Sequence, residues 1–151
     1  MEEKPDESAD WKGMPSWLLS RLAEHSHRLV ADGFASVGVR GYHYRVAATL
    51  AQFGPASQAE VGRRSQIHPS DMVATVNELA ERQLVERAPD PSDGRRNVIS
   101  LTAAGRRALR QWDKCLAASQ EGLLAPLSAE EGRELTVLLT KLLQHHGGAG
   151  R

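Results

Sequence analysis

Residues 94–110 hold Arg95, Arg96, Arg106, Arg107 and Arg110 and no acid, a local charge of +5. A guanidinium stays charged at physiological pH and offers five donors in a fixed fork, which matches phosphate oxygens and base edges. Arg95 and Arg96 follow Asp93-Gly94 directly, so two of these cations stand at a turn beside a carboxylate. A second basic pair, Arg63-Arg64, lies upstream. Between Ser65 and Glu81 there is no Lys or Arg, but His68, Ser70, Asp71 and Thr75 supply imidazole, hydroxyl and carboxylate groups. Such groups exchange hydrogen bonds with base edges, and a carboxylate accepts from cytosine N4. Cations for phosphate on either side of neutral or acidic readers is the chemistry of a nucleic-acid interface.

The whole chain of 151 residues is neutral, with 19 Lys+Arg against 19 Asp+Glu. That balance does not exclude a phosphate-binding surface, because exposed charges are felt over about a Debye length, ~8 Å at physiological salt. The acids are displaced toward one end: residues 1–16 hold five acids and two bases, a local −3. Ser, His and Asp are all present, yet no nucleophile elbow, metal quartet or phosphate-cradling glycine loop occurs, so an enzyme is not expected. No cofactor and no metal is expected either. His25 and His27 are two apart on a helix and point about 200° apart at 3.6 residues per turn. The single Cys, Cys115, excludes an internal disulfide and falls mid-helix, where a packing role is expected. The amino terminus, Met1-Glu-Glu-Lys-Pro-Asp-Glu-Ser, is acidic and polar, the opposite of a signal peptide, and no apolar run reaches the ~20 residues of a membrane span. A cytoplasmic, nucleoid-associated chain with no membrane partner is the expectation.

These side chains need positioning elements. Residues 1–14 lack apolar periodicity and read as a disordered acidic arm. Pro15-Ser16 opens a helix with Leu18, Leu22, Leu29 and Val30 on one stripe, ending near Gly33. A second runs from about Gly41 to Phe53, with Tyr42, Val46, Leu50 and Phe53 inward, and stops at Gly54-Pro55. A third is short, capped by Ser57, with Ala59, Val61 and Gly62 inward to about Arg64. A fourth starts at Pro69 with Met72, Val73, Val76, Leu79 and Ala80 as its buried stripe. The period then changes. Leu84–Arg87 and Asn97–Leu101 read as two strands joined by Asp90-Pro91-Ser92-Asp93-Gly94-Arg95-Arg96, a hairpin with an arginine-bearing tip. Thr102 caps a long helix to about Gly122 with Leu109, Trp112 and Leu116 inward, and Pro126 breaks it. Ser128 and Glu131 form a capping box for a last helix carrying Leu135, Leu138, Leu139, Leu142 and Leu143. Those leucines read as a dimer interface. The fold class is mainly α with a small β-hairpin.

The third and fourth helices, joined by Gln66-Ile67-His68, form a helix-turn-helix, and a hairpin directly after it makes a winged helix. The fourth helix can lie in the ~12 Å major groove, and an Arg at the hairpin tip can enter the minor groove. Taken from spacing alone, a winged-helix protein-interaction module without DNA binding is the alternative.

The run Asp93-Gly-Arg95-Arg-Asn-Val-Ile-Ser-Leu101-Thr102-Ala-Ala-Gly105 resembles the wing signature of the MarR family of bacterial transcriptional regulators, D-x-R-x-x-x-x-x-L-T-x-x-G, and the helix order agrees over about residues 16–146. The resemblance implies one domain over 15–146, a winged helix at about 40–101 set between dimerisation helices at 15–35 and 103–146, and a flexible tail at 147–151. It implies a homodimer on a palindromic double-stranded operator, most often a repressor, and in many members release by a small aromatic acid or phenol. Arg95 would be the minor-groove arginine, Asp93 its orienting carboxylate, and Arg96 a flanking or phosphate contact. Ser70, Asp71 and Thr75 would occupy the base-reading face, with His68 beside them and Arg63 and Arg64 on phosphate. The chain departs from the family pattern in having no basic residue on that reading helix. An effector cleft between dimer helices and winged helix would be lined from Trp17, Arg21, His25, Tyr42, His43 and Arg45.

Overall fold

The computed structural model describes residues 10–147. Helix α1 spans Pro15–Ala35 and α2 spans Gly41–Phe53, stopping where Gly54 adopts φ +80°, a backbone that side-chain-bearing residues rarely take. Strand β1 (Ala56–Ser57) leads into α3 (Gln58–Ser65), and α4 covers Pro69–Glu81. Strands β2 (Val85–Pro89) and β3 (Asn97–Leu101) form the wing, followed by α5 (Ala103–Leu124) and α6 (Ala129–Gly147). The helices start where caps allow. Pro15 and Pro69 occupy first-turn positions that need no amide hydrogen, and Ser57, Thr102 and Ser128 each accept a hydrogen bond from the amide three residues on.

The sheet has three antiparallel strands in the order β1-β3-β2, not the two of an isolated hairpin. Ala56 pairs with Ile99 and Ser57 with Val98. Two residues carry no alternation, so this strand is made by tertiary pairing rather than by local pattern. It fastens the wing to the start of α3. The other end of the wing is fastened at Thr102, whose hydroxyl donates to Gln83 O at 2.8 Å while accepting the Gly105 N–H at 2.9 Å. A Cβ at Gly105 would lie 2.1 Å from Leu84 O, so only glycine admits this approach of α5 to the strand.

The core gathers Val46, Ala47 and Leu50 from α2, Val61 from α3, Met72, Val76 and Leu79 from α4, Val85, Ile99 and Leu101 from the sheet, and Leu109 and Trp112 from α5. Each Val, Leu, Ile or Met side chain among these contributes roughly 1.5–3 kcal/mol on burial. Helix α1 packs along α5, where the Ser119 hydroxyl donates to Leu29 O at 3.1 Å. Cys115 is half-buried against the core.

Several positions differ from the sequence expectation. Val73 is exposed, and Thr75 takes the inward place on α4. Tyr42, Phe53 and Ala59 are exposed. Leu18, Leu22 and Leu29 of α1 and Leu138, Leu139, Leu142 and Leu143 of α6 are on stripes as expected, but one chain leaves them uncovered. Helix α5 runs two residues past Gly122. Within the expected disordered arm, Trp11–Gly13 form a 3-10 turn, with Trp11 edge-on to Trp17 at 5.6 Å between ring centres. Residues 1–9 of that arm and 148–151 of the expected tail lie outside the described residues. Among the described residues no helix is long and apolar enough to cross a membrane, and no group of three or more His, Cys, Asp or Glu could hold a metal ion.

Candidate nucleic-acid interface

The turn between α3 and α4 is set by backbone and by one arginine. Gln66 closes α3 in the left-handed region at φ 55°, and the Ile67 N–H donates to Gly62 O at 3.0 Å, which buries Ile67. Arg45 of α2 donates to Gln66 O at 2.7 Å and also to Ser65 O. A cation on the last carbonyls of a helix satisfies acceptors with no helical partner and opposes the dipole. His68 caps α4: its Nδ1 accepts the Ser70 N–H at 3.2 Å and lies 2.7 Å from Ser70 Oγ. His68 and Ser70 are thus one unit at the start of the exposed helix.

Along α4 the outward residues are Pro69, Ser70, Asp71, Val73, Ala74, Asn77 and Glu81. Thr75 does not join them. It is 1% exposed, and its hydroxyl donates to Asp71 O at 2.7 Å. At 100° per residue position 75 falls with Met72, Val76 and Leu79, and the carbonyl four residues back satisfies the hydroxyl there. Asn77 faces outward, and the structure gives it a partner: Arg87 of β2 donates to Asn77 Oδ1 at 2.5 Å. Its position off the apolar stripe is visible in the sequence, while the strand residue that holds it is not.

At the wing tip, the Asp90 N–H donates to Arg96 O at 2.7 Å, and Asp90 Oδ1 accepts both the amide and hydroxyl of Ser92 at 2.8 Å. Those bonds hold the Asp90 carboxyl below the usual range. Asp93 Oδ1 accepts the Arg95 N–H at 3.1 Å, and the two carboxylate oxygens stand 3.9 Å from the Nε atoms of Arg95 and Arg96. Asp93 therefore shapes the turn and draws both guanidinium groups only loosely, since exposed pairs contribute ~0–1 kcal/mol. The Arg95 side chain is 96% exposed.

Arg63 and Arg64 share Glu60, Arg64 at 2.8 Å, and the Arg64 guanidinium also sits 4.9 Å over the Phe53 ring. Arg63 lines a groove of about 600 Å³ between α3 and the wing together with Arg87, Arg96 and Asn97. Arg63, Arg87 and Arg96, far apart in sequence, meet there. The structure thus brings two of the expected phosphate contacts, Arg63 and Arg96, to one groove, leaves Arg64 over Phe53, and attaches the reading helix to the wing through Arg87 and Asn77.

The six residues expected around an effector do not converge within one chain. Arg21 pairs with Glu24 at 3.0 Å, and His25 Nδ1 lies 3.1 Å from an Arg28 nitrogen, both on the exposed surface of α1. Trp17 packs against Trp11. Arg45 holds the helix turn and lies 5.5 Å over the Tyr42 ring. His43 is 2% exposed, accepts the Arg40 N–H at Nδ1 (3.0 Å) and meets Glu78 Oε2 at Nε2 (2.5 Å). Both its nitrogens are occupied, so His43 is a link between α2 and α4 and not a pocket residue. Burial chiefly lowers its pKa, against the pull of Glu78.

The sequence pattern described as the MarR family matches residues 37–96, which contain α2, α3, α4, β2 and the wing tip up to the start of β3. The chain is 31% identical over 101 residues to the HTH-type transcriptional repressor NicR of Pseudomonas putida, covering 67% of this chain and 64% of that one, just under two thirds of the repressor's length. It is similar to the PcaV transcriptional regulator of Streptomyces coelicolor solved with its natural ligand, at 29% identity and TM-score 0.73, covering 89% of this chain and 95% of that one. A point mutant of MarR from E. coli, complexed with operator DNA, shares the fold at TM-score 0.73 and 20% identity, covering 85% of this chain and 92% of that one. The helix-turn-helix, the pinned three-stranded wing and the Asp93-to-Gly105 signature agree with these similarities to winged-helix regulators of the MarR family.

Proposed function

We propose that this protein is a repressor that binds a palindromic operator as a homodimer, acts in the cytoplasm, and is released by a small aromatic acid or phenol. One observation carries the DNA reading: Arg95 stands 96% exposed at the tip of a wing that Arg87 bonds directly to Asn77 on the outward face of α4. A single rigid unit then offers a major-groove helix and a minor-groove arginine to the same duplex. Ser70, Asp71 and Asn77 face base edges. Arg63, Arg64 and Arg96 supply phosphate contacts, which set register and affinity without reading sequence.

The homodimer is supported by the uncovered apolar stripes of α1 and α6, the elements that flank the winged helix in the chain. A two-fold protein suits a two-fold operator. Release by a ligand is supported by the relative PcaV, solved with its natural ligand. Trp17, Arg21, His25 and Tyr42 are among the outward aromatic and cationic groups of α1 and α2 available to a small anion when a second chain closes over them. Binding there shifts the spacing of the two recognition helices, which the operator fixes.

The test is selection of bound fragments from random DNA with the purified chain. Enrichment of an inverted repeat is the expected result. A pool that stays random after repeated rounds overturns the reading in favour of an interaction module.

A further inference from the structure

We infer that Val73 and Ala74 read the C5-methyl groups of thymine in the major groove, a specificity that rests on the DNA-binding reading above. Among the large apolar residues of α4, Met72, Val76 and Leu79 are buried, whereas Val73 is 51% exposed. A lone exposed valine is ordinary. This one stands in the first half of a helix whose neighbouring outward positions are Ser70, Asp71 and Asn77, and the N-terminal part of a recognition helix is where base edges are met. Its surface continues into an apolar groove of about 800 Å³ shared with Ile67 and Pro69. Ala74 follows it outward, and its short side chain lets the backbone come close to the base pairs.

What such a face can recognise is narrow. It has no Lys or Arg, so the bidentate arginine contact to guanine O6 and N7 is not available from α4. Its polar groups are in part engaged already: Asn77 Oδ1 holds Arg87, and the Ser70 hydroxyl lies against His68. Apart from the Asp71 carboxylate, the free surface on the first half of α4 is aliphatic, from Val73 and Ala74. On the floor of the major groove the apolar feature is the thymine C5-methyl group, and aliphatic side chains recognise it by contact. Arg63 lines the same apolar groove as Val73, and Arg95 and Arg96 stand on the wing that Arg87 ties to α4, so the occupant of this apolar face is duplex DNA, which presents phosphates beside its methyl groups.

The experiment replaces thymine by deoxyuridine, one position at a time, in the half-sites of an enriched operator, and measures affinity of wild type and Val73→Ala. Uracil differs from thymine only by the missing methyl. Wild type is expected to lose about fourfold in affinity per contacted methyl, and about fifteenfold when both half-sites are changed, from ~0.8 kcal/mol per buried methyl-sized group. Val73→Ala is expected to bind the thymine operator more weakly and to lose less than about twofold on the same replacement at the position Val73 contacts. If wild type selects an operator yet tolerates deoxyuridine at every position, the methyl reading is wrong while DNA recognition stands, and if both proteins lose equally at every position, Val73 is not the reader. If no operator is enriched at all, the DNA reading fails and this inference with it.

Discussion

The His43 imidazole meets the Glu78 carboxylate at 2.5 Å, Nε2 to Oε2, and this contact fastens the reading helix α4 to α2. The same carboxylate oxygen receives Arg40 at 2.5 Å, whose own N–H donates to His43 Nδ1. A neutral ring with its proton on Nε2 satisfies both contacts at once. A second proton on Nδ1 would oppose the Arg40 N–H and undo the cap of α2.

Acid should therefore loosen the winged helix. The folded-state pKa of His43 lies below its ordinary 6.5, lowered by burial and by the nearby Arg40 and Arg82 against the opposing pull of Glu78. The unfolded chain then takes up the proton first, so stability present above pH 6.5 is lost as pH falls through the folded value. Glu78, held below its ordinary 4.5 by His43 and Arg40, acts in the same direction at lower pH. Denaturant unfolding from about pH 7.5 to about pH 5 should show stability falling, and the fall should be smaller in His43→Asn, which keeps an acceptor for the Arg40 N–H. An identical profile in the variant would remove His43 from the effect.

Replacing Arg95 by Ala should weaken operator binding by about 1–3 kcal/mol. Thermal unfolding of the free protein should not change, because the side chain is 96% exposed and its nearest carboxylate stands 3.9 Å away. Equal affinity of variant and wild type across a salt titration would take the wing out of recognition.

Asp71→Asn should change which base is preferred and leave the salt dependence nearly unaltered, since a carboxylate makes no phosphate contact. Arg63→Ala should do the reverse, lowering the slope of log affinity against log salt by about 1 with base preference intact. Repeating the random-DNA selection with each variant, alongside a salt titration, separates the two. A salt slope reduced by Asp71→Asn would contradict the assignment.

A charge placed on the uncovered stripe of α6 should split the dimer. Leu138→Asp or Leu142→Asp leaves the core of the single chain intact, because both side chains are already exposed there. Sedimentation should give monomers with an unchanged circular dichroism spectrum, and operator affinity should fall together with the dimer. A variant that remains dimeric would place the interface elsewhere.

Elements with a chemical punctuation mark were legible in the sequence. Pro69 sets the start of α4, Thr102 caps α5 and the Asp93-Gly94 pair marks the wing tip, as expected from residue type, while Gly105 and the pairing of Asp93 with Arg95 were expected from the family resemblance. The phase of α4 was legible only in part: the period allows either Val73 or Thr75 at the margin of the stripe, and an available carbonyl at Asp71 settles it for Thr75. Strand β1 is two residues long and exists through pairing with Ile99 and Val98, so no local pattern announces it. The partners of Asn77 and His43 come from Arg87 and Glu78, ten and 35 residues away. Such pairings depend on how elements pack, which spacing within one element does not encode.

The most direct test is hydroxyl-radical cleavage of an enriched operator bound by wild type and by Arg95→Ala. Two protected half-sites with centres one helical turn apart, about 10–10.5 base pairs, are expected, each with a flanking minor-groove protection that disappears in the variant. Protection of a single half-site, or flanking protection that persists without Arg95, would contradict a dimer that sets two helices and two wings on one duplex.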